Sequence, residues 1–277
     1  MTLCVWIYGV GGLVLCAARV CVKGFRIMPI GESFTVAGVD GCKAGWLVAR
    51  ASVLRPGSGP ADGVVYQAGD LRVAPTFAEV LSTTMECSLV CVDIPIGLTD
   101  GPPRECDRLA RKKLSPFRAS SVFPAPIRPC LAARDYTAAT AISRELSGKA
   151  LTKQSFAILA KIRQVDDLMT PELQNRVREV HPEVCFWSLN GNRPIEHNKK
   201  TPPGQLHRYR VLKEVFTGLD DVIGVAPARD CAMDDVLDAL VATWTAGQAV
   251  LGKAVTLPEN PPRDTKGLRM EMVYSIG

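Results

Sequence analysis

The segment SLVCVDIPIGL, residues 88–98, constrains this chain more than any other. A short apolar run without polar alternation reads as a strand buried on both faces, and Pro95 with Gly97 closes it into a loop. Such a strand needs cover on both sides, so the chain must layer helices over a sheet. Asp93 stands at the carboxyl end of the run, where buried chain gives way to polar chain. The sequence has 277 residues, 47% of them hydrophobic and 22% charged. That supplies a substantial core and excludes a disordered, collagen-like or coiled-coil chain.

The flanking patterns fit the same architecture. FTVAGVD (34–40), a turn through Gly41 and Gly45, and WLVARASVL (46–54) read as a hairpin. A Gly/Pro/Ser-rich loop at 55–63 leads to a third strand at 64–73 and a short helix at 76–83. Between about 102 and 175 the chain is helical and basic, with patterns at 104–114, 131–146 and 154–169, and forms an insertion between central strands. Residues 178–187 read as a strand running into a Pro-started helix, 207–216 and 234–250 as helices, and 268–276 as a closing strand. One α/β domain over residues 28–277 is expected: a mixed sheet flanked by helices, with ligands gathered at the carboxyl ends of the strands.

Residues 2–18 carry no charge, and Arg19, Lys23 and Arg26 follow them. A secretory signal puts its positive residues first, and a bilayer span needs about 20 apolar residues. Residues 1–27 are therefore read as an apolar extension, with the native chain starting at Met28. The ten cysteines follow no zinc-ligand spacing and read as buried thiols of a cytoplasmic protein with no stable membrane partner.

The chemistry-bearing residues are acidic. Asp40 ends the first strand of the hairpin, Asp93 ends the buried run, and Asp234, Asp235 and Asp238 open the long helix at 234–250. Asp235 and Asp238 are three apart and share a helix face, while Asp234 reads as the cap. Carboxylates brought together raise one another's pKa, and a divalent cation relieves that repulsion. Mg²⁺ or Mn²⁺ suits such an oxygen set and can activate water against a phosphodiester.

The segments VAGVDGCKAGW (36–46), CVDIPIGL (91–98), RECDRLARKKL with SSVFPAPIR (104–128), LTKQSFAILAKIRQVD (151–166), EVHPEVCFW (179–187) and DDVLDALVATWTA (234–246) together resemble the domain of unknown function 429 family. Its members are predicted nucleases of the ribonuclease-H-like fold. The resemblance covers about residues 34–275 and implies that Asp40, Asp93, Asp235 and Asp238 are metal ligands. The Asp235-x-x-Asp238-Ala pattern also resembles the last helix of Holliday-junction resolvases. This chain has Ala160 where the family usually carries Pro, which implies a changed helix bend.

Glu179 and His181 are candidates for an additional ligand or for the base that activates water. Lys43, Arg104, Arg108, Arg111, Arg118 and Lys153 are candidates for contacts to the phosphates of a nucleic acid or nucleotide. A solvated helix face is the other reading of the basic cluster, and Lys199 with Lys200 carries the same ambiguity. The net charge of +5 permits an anionic partner without demanding one. The functional expectation is a divalent-metal-dependent phosphodiester hydrolase. The alternatives are a phosphate- or nucleotide-binding protein of the same fold without hydrolysis, and an interaction module whose carboxylates stand too far apart to chelate.

Overall fold

A computed structural model describes residues 2–4, 19–22, 25–27, 32–54, 64–226 and 231–276. The expected start at Met28, most of the apolar extension and the 55–63 loop lie outside the described residues. Within the extension, β1 (Thr2–Cys4), β2 (Arg19–Val22) and β3 (Phe25–Ile27) pair antiparallel in that order.

The main sheet begins with a hairpin of β4 (Ser33–Cys42) and β5 (Gly45–Leu54), followed by β6 (Val65–Ala74). Gly45 turns the hairpin at φ 142°, a conformation that side-chain-bearing residues rarely adopt. After α1 (Phe77–Thr83) comes β7 (Leu89–Val92), parallel to β4. Between β7 and β8 (Val177–Glu179) the chain is helical, with α2 (Glu105–Lys113), α3 (Tyr136–Ser147), α4 (Lys153–Ala157) and α5 (Leu159–Leu168). There follow α6 (Pro182–Leu189), α7 (Pro202–Lys213), β9 (Phe216–Thr217), α8 (Leu219–Gly224), α9 (Met233–Val250), β10 (Ala254–Leu257) and β11 (Met272–Ser275).

The six-stranded sheet runs β8-β7-β4-β5-β6-β9. Strands β8, β7 and β4 are parallel, β5 is antiparallel to both neighbours, and β9 is parallel to β6. The protein is thus a mixed α/β fold with a mixed sheet flanked by helices. Alternate residues of β4 and β7 serve two cores, as the period of two requires. Val36, Leu89 and Cys91 pack with Leu237 and Leu240 of α9 on one face. Ala37, Val39, Val90 and Val92 pack with Phe77 of α1 and Ile162 of α5 on the other.

Several boundaries differ from expectation. The apolar run at 88–98 leaves the sheet after Val92, although Ile94, Ile96 and Leu98 stay buried. Carboxylates replace the ladder there: Ile96 N donates to Glu179 and Leu98 N to Asp264. The run was long because its loop is buried too. The strand expected at 268–276 shortens to β11, which pairs with β10 in a separate two-stranded sheet. The helix expected from 131 starts at Tyr136, where Asp135 caps it by accepting from Ala138 N at 2.8 Å. The third helix of the insertion is broken at Ile158, so a bend persists beside Ala160. Helix α7 starts earlier than expected, with Thr201 as cap and Pro202 in the first turn. Among the described residues no helix is long and apolar enough to cross a membrane.

Candidate metal centre

The parallel pairing of β4 and β7 places the first two acidic residues side by side. Val39 is the register partner of Val92, and Asp93 N donates to Val39 O at 2.9 Å. Asp40 and Asp93 each stand one residue past that pair, on the face that carries α9. The helix reaches them because of Gly38. A Cβ at Gly38 would lie 2.1 Å from Ala239 O and 2.2 Å from Thr243 N, so only glycine lets α9 settle this closely on β4. Thr243 Oγ1 ties the contact by donating to Ala49 O at 3.1 Å. One turn upstream on α9 sits Asp238, 1% exposed.

Asp40, Asp93 and Asp238 can each bring one carboxylate oxygen within 4.8 Å of the others. Burial, Asp93 and Asp238 together raise the Asp40 pKa well above its ordinary value. Burial pushes Asp93 and Asp238 up to about 6, against the pull of the Lys199 ammonium. Lys199 Nζ stands 2.5 Å from Asp238 Oδ2 and 3.9 Å from Asp234 Oδ2. Although burial works to lower it, the neighbouring Asp238, Asp40 and Asp93 hold the Lys199 pKa above its usual range. The opposite oxygen, Asp238 Oδ1, is buried without a hydrogen-bond partner.

These carboxylates form one wall of a cavity of about 570 Å³. Arg118, His181, Lys161, Lys199 and Lys200 line it as well. Arg118 Nε and His181 Nδ1 are also buried without hydrogen-bond partners. Orphaned buried polar atoms are scarce in folded proteins, and three belong to residues of this one cavity. A carboxylate trio with a vacant acceptor is the donor set that a hard divalent cation takes, so the residues present fit Mg²⁺ or Mn²⁺.

The other expected site residues fall into different places. Asp235 lines the cavity but is not in the trio, because its carboxylate turns back to accept from Ala232 N at 2.9 Å. The helix begins at Met233, one residue earlier than the sequence suggested, so Asp235 closes the first turn and Asp234, expected as the cap, approaches Lys199 instead. Glu179, expected as ligand or base, lies at the buried end of the same cavity with both its oxygens already taken. Its two oxygens take Arg104 Nη2 and Nη1, each at 2.7 Å, and Ile96 N at 2.6 Å. Arg104 is therefore occupied and 3% exposed, a buried ion-pair partner rather than an open phosphate contact. Pro182 starts α6 at once, which ends the strand and separates Glu179 from Glu183.

Of the other basic candidates, Arg118 lines the cavity, with Nη2 2.8 Å from Glu183 Oε1, as do Lys199 and Lys200. Arg108 is exposed and pairs with Glu105, and Arg111 donates to Val122 O. Lys43 in the β4–β5 turn and Lys153 at the start of α4 are exposed and do not line it. Lys161 went unmarked in the sequence. Its Nζ donates to Gly45 O at 2.6 Å, and a Cβ at Gly41 would approach its Cδ to 2.9 Å. The combination of a glycine at 41 and a lysine on a distant helix leaves no local signal.

The comparisons with known proteins leave the family as the nearest anchor. Neither the curated proteins nor the solved structures give a match. The family model described as Protein of unknown function (DUF429) matches residues 38–263, a span holding every member of the carboxylate trio, and the chain belongs to that family.

Proposed function

We propose that this protein is a divalent-metal-dependent phosphodiester hydrolase acting on nucleic acid or a nucleotide, with Asp40, Asp93 and Asp238 as the ligands. The observation that carries the reading is the trio, with Asp40 and Asp238 buried, Asp93 half-buried and Asp238 Oδ1 unpartnered, beside a cavity edged by basic side chains. We also read the sheet as ribonuclease-H-like. The reading is supported by acidic residues drawn from the hairpin's first strand, the end of its parallel neighbour and the last long helix. When bound, the cation would polarise a phosphoryl oxygen and lower the pKa of a coordinated water.

The chain's own groups supply the rest. Arg118, Lys161 and Lys200 present positive charge to a phosphate entering the cavity. Burial lowers the His181 pKa, which favours the neutral ring. Its Nε2 lies 3.4 Å from the Ser121 carbonyl, which can only accept, so Nε2 carries the proton and Nδ1 is the basic atom. His181, rather than Glu179 with both oxygens taken by Arg104 and Ile96 N, is then the group proposed to take a proton from water. The buried thiols Cys42, Cys91, Cys106 and Cys185 suit a cytoplasmic setting.

The test uses fluorescent single- and double-stranded DNA and RNA with Mn²⁺ or Mg²⁺. Cleavage should require the cation and fall by roughly 100-fold or more in Asp40→Asn, as loss of a ligand to the catalytic ion demands. Cation-dependent cleavage unchanged in that variant would place the chemistry elsewhere.

A further inference from the structure

Lys199 does not sit at the carboxylate trio as a loose surface side chain. The loop carrying it is tied down on both sides. Asn198 O accepts from Thr201 N at 3.0 Å and Thr201 Oγ1 at 2.8 Å, and Asn198 Oδ1 accepts from Lys200 N at 2.9 Å. Helix α7 presses against the same carbonyl: a Cβ at Gly204 would lie 2.0 Å from Asn198 O. Arg208, fully buried, donates to His197 O at 3.2 Å while holding both oxygens of Glu183. The loop has one place to be, and it delivers the ammonium to Asp238 Oδ2 while leaving Oδ1 without a partner.

The charges then balance in a definite way. In the ionised form that a cation takes, the three carboxylates carry −3, and the ammonium brings the group to −2, the complement of one divalent ion. Without Lys199 the same oxygens, with Asp234 and Asp235 nearby, would have charge enough for two. We infer that Lys199 is a built-in counter-cation that fills the second cation position, so that the trio takes a single divalent ion. The inference rests on the cation-binding reading above and extends it to stoichiometry. In a two-ion site the second ion stabilises the leaving oxygen. Here that place belongs to a fixed ammonium, making Lys199 a positioning residue with its charge already in the fold.

Mn²⁺ binding to the purified full chain, followed by calorimetry and electron paramagnetic resonance, tests this without a substrate. Wild type and Lys199→Arg should each bind one ion with an uncoupled spectrum. Lys199→Met should bind two, with the broadened spectrum of a spin-coupled pair. Its first ion should also be held about ten-fold tighter or more, since removing a nearby positive charge at an effective dielectric near 20 is worth at least that. Two ions in wild type, or one ion with unchanged affinity in Lys199→Met, overturns the counter-cation role and leaves the cation site standing. Absence of Mn²⁺ binding in wild type and every variant overturns the cation site itself. Lys199→Gln provides a second neutral variant should the Met chain misfold, and circular dichroism of each variant identifies that case.

Discussion

Among the described residues, two trios bring potential ligand atoms within 4.8 Å of one another: Asp40, Asp93 and Asp238 in one, Cys106, Asp107 and Glu179 in the other. Distance alone would score them alike. The second is filled by a guanidinium. Arg104 spans Asp107 and Glu179, and Asp107 Oδ2 also accepts from Ala125 N at 2.9 Å, so every carboxylate oxygen has a donor. Burial works against the Arg104 charge, yet Asp107 and Glu179 hold its pKa well above the ordinary value. Burial raises carboxyl pKa values in both trios, Glu179 to about 7 and Asp93 and Asp238 to about 6, but in the first trio the Lys199 ammonium bonds only Asp238 of the three and an oxygen goes unpaired. Charge balance and unmet hydrogen bonds, rather than ligand spacing, separate a structural ion pair from a site built for something else.

The largest predicted effect lies in the filled trio. Arg104→Met would leave Asp107 and Glu179 buried with no counter-charge, which costs about 3–5 kcal/mol. Urea unfolding measures it. A loss under about 1 kcal/mol would mean that the two trios are not electrically different.

The opposite sign is expected in the open trio. Asp93 binds its proton more tightly when folded, with a pKa of about 6 against an unfolded value near 3.9. The folded state therefore pays for ionisation above pH 6, and that penalty fades as pH falls towards 4. Asp93→Asn should stabilise the metal-free protein by about 1–2 kcal/mol at pH 7, allowing for coupling among the three carboxyls. The gain should shrink steadily between pH 7 and 4.5. Saturating Mn²⁺ should raise the melting temperature of wild type and leave that of Asp93→Asn nearly unmoved. Equal stability of the two proteins across this pH range would show that the trio carries no strain.

The contrast also explains what could be read from residue order. Asp40, Asp93 and Asp238 were legible because each sits where an apolar element ends, and periodicity places strand ends and helix starts. The hairpin and the helices of the insertion were legible for the same reason. The ions that neutralise each trio were not. Arg104 and Arg108 look alike in RECDRLARKK, yet one is sealed against Glu179 and the other is exposed. Their difference depends on β8 arriving 75 residues later, a pairing with no local trace. Gly38 and Gly204 were equally silent, because a close approach between backbones is a property of the packed chain. The short strands β9 and β10 carry too few residues for an alternation to register.

Asp235 provides the smallest and sharpest test of the boundary between the two kinds of carboxylate. It lies on the cavity wall, and sequence spacing places it with Asp238, yet its oxygen is committed to the Ala232 N–H at the start of α9. A capping role needs an acceptor and not a charge, whereas a ligand to a hard cation depends on the charge. Asp235→Asn keeps the acceptor, so stability should change by less than about 0.5 kcal/mol, with Mn²⁺ affinity within about three-fold of wild type. Asp235→Ala removes the acceptor and should cost about 1 kcal/mol while binding one Mn²⁺ as before. Titrating both variants with Mn²⁺ decides the matter. If Asn binds as poorly as Asp40→Asn, the helix start rearranges on loading, and Asp235 leaves its cap to become a fourth ligand.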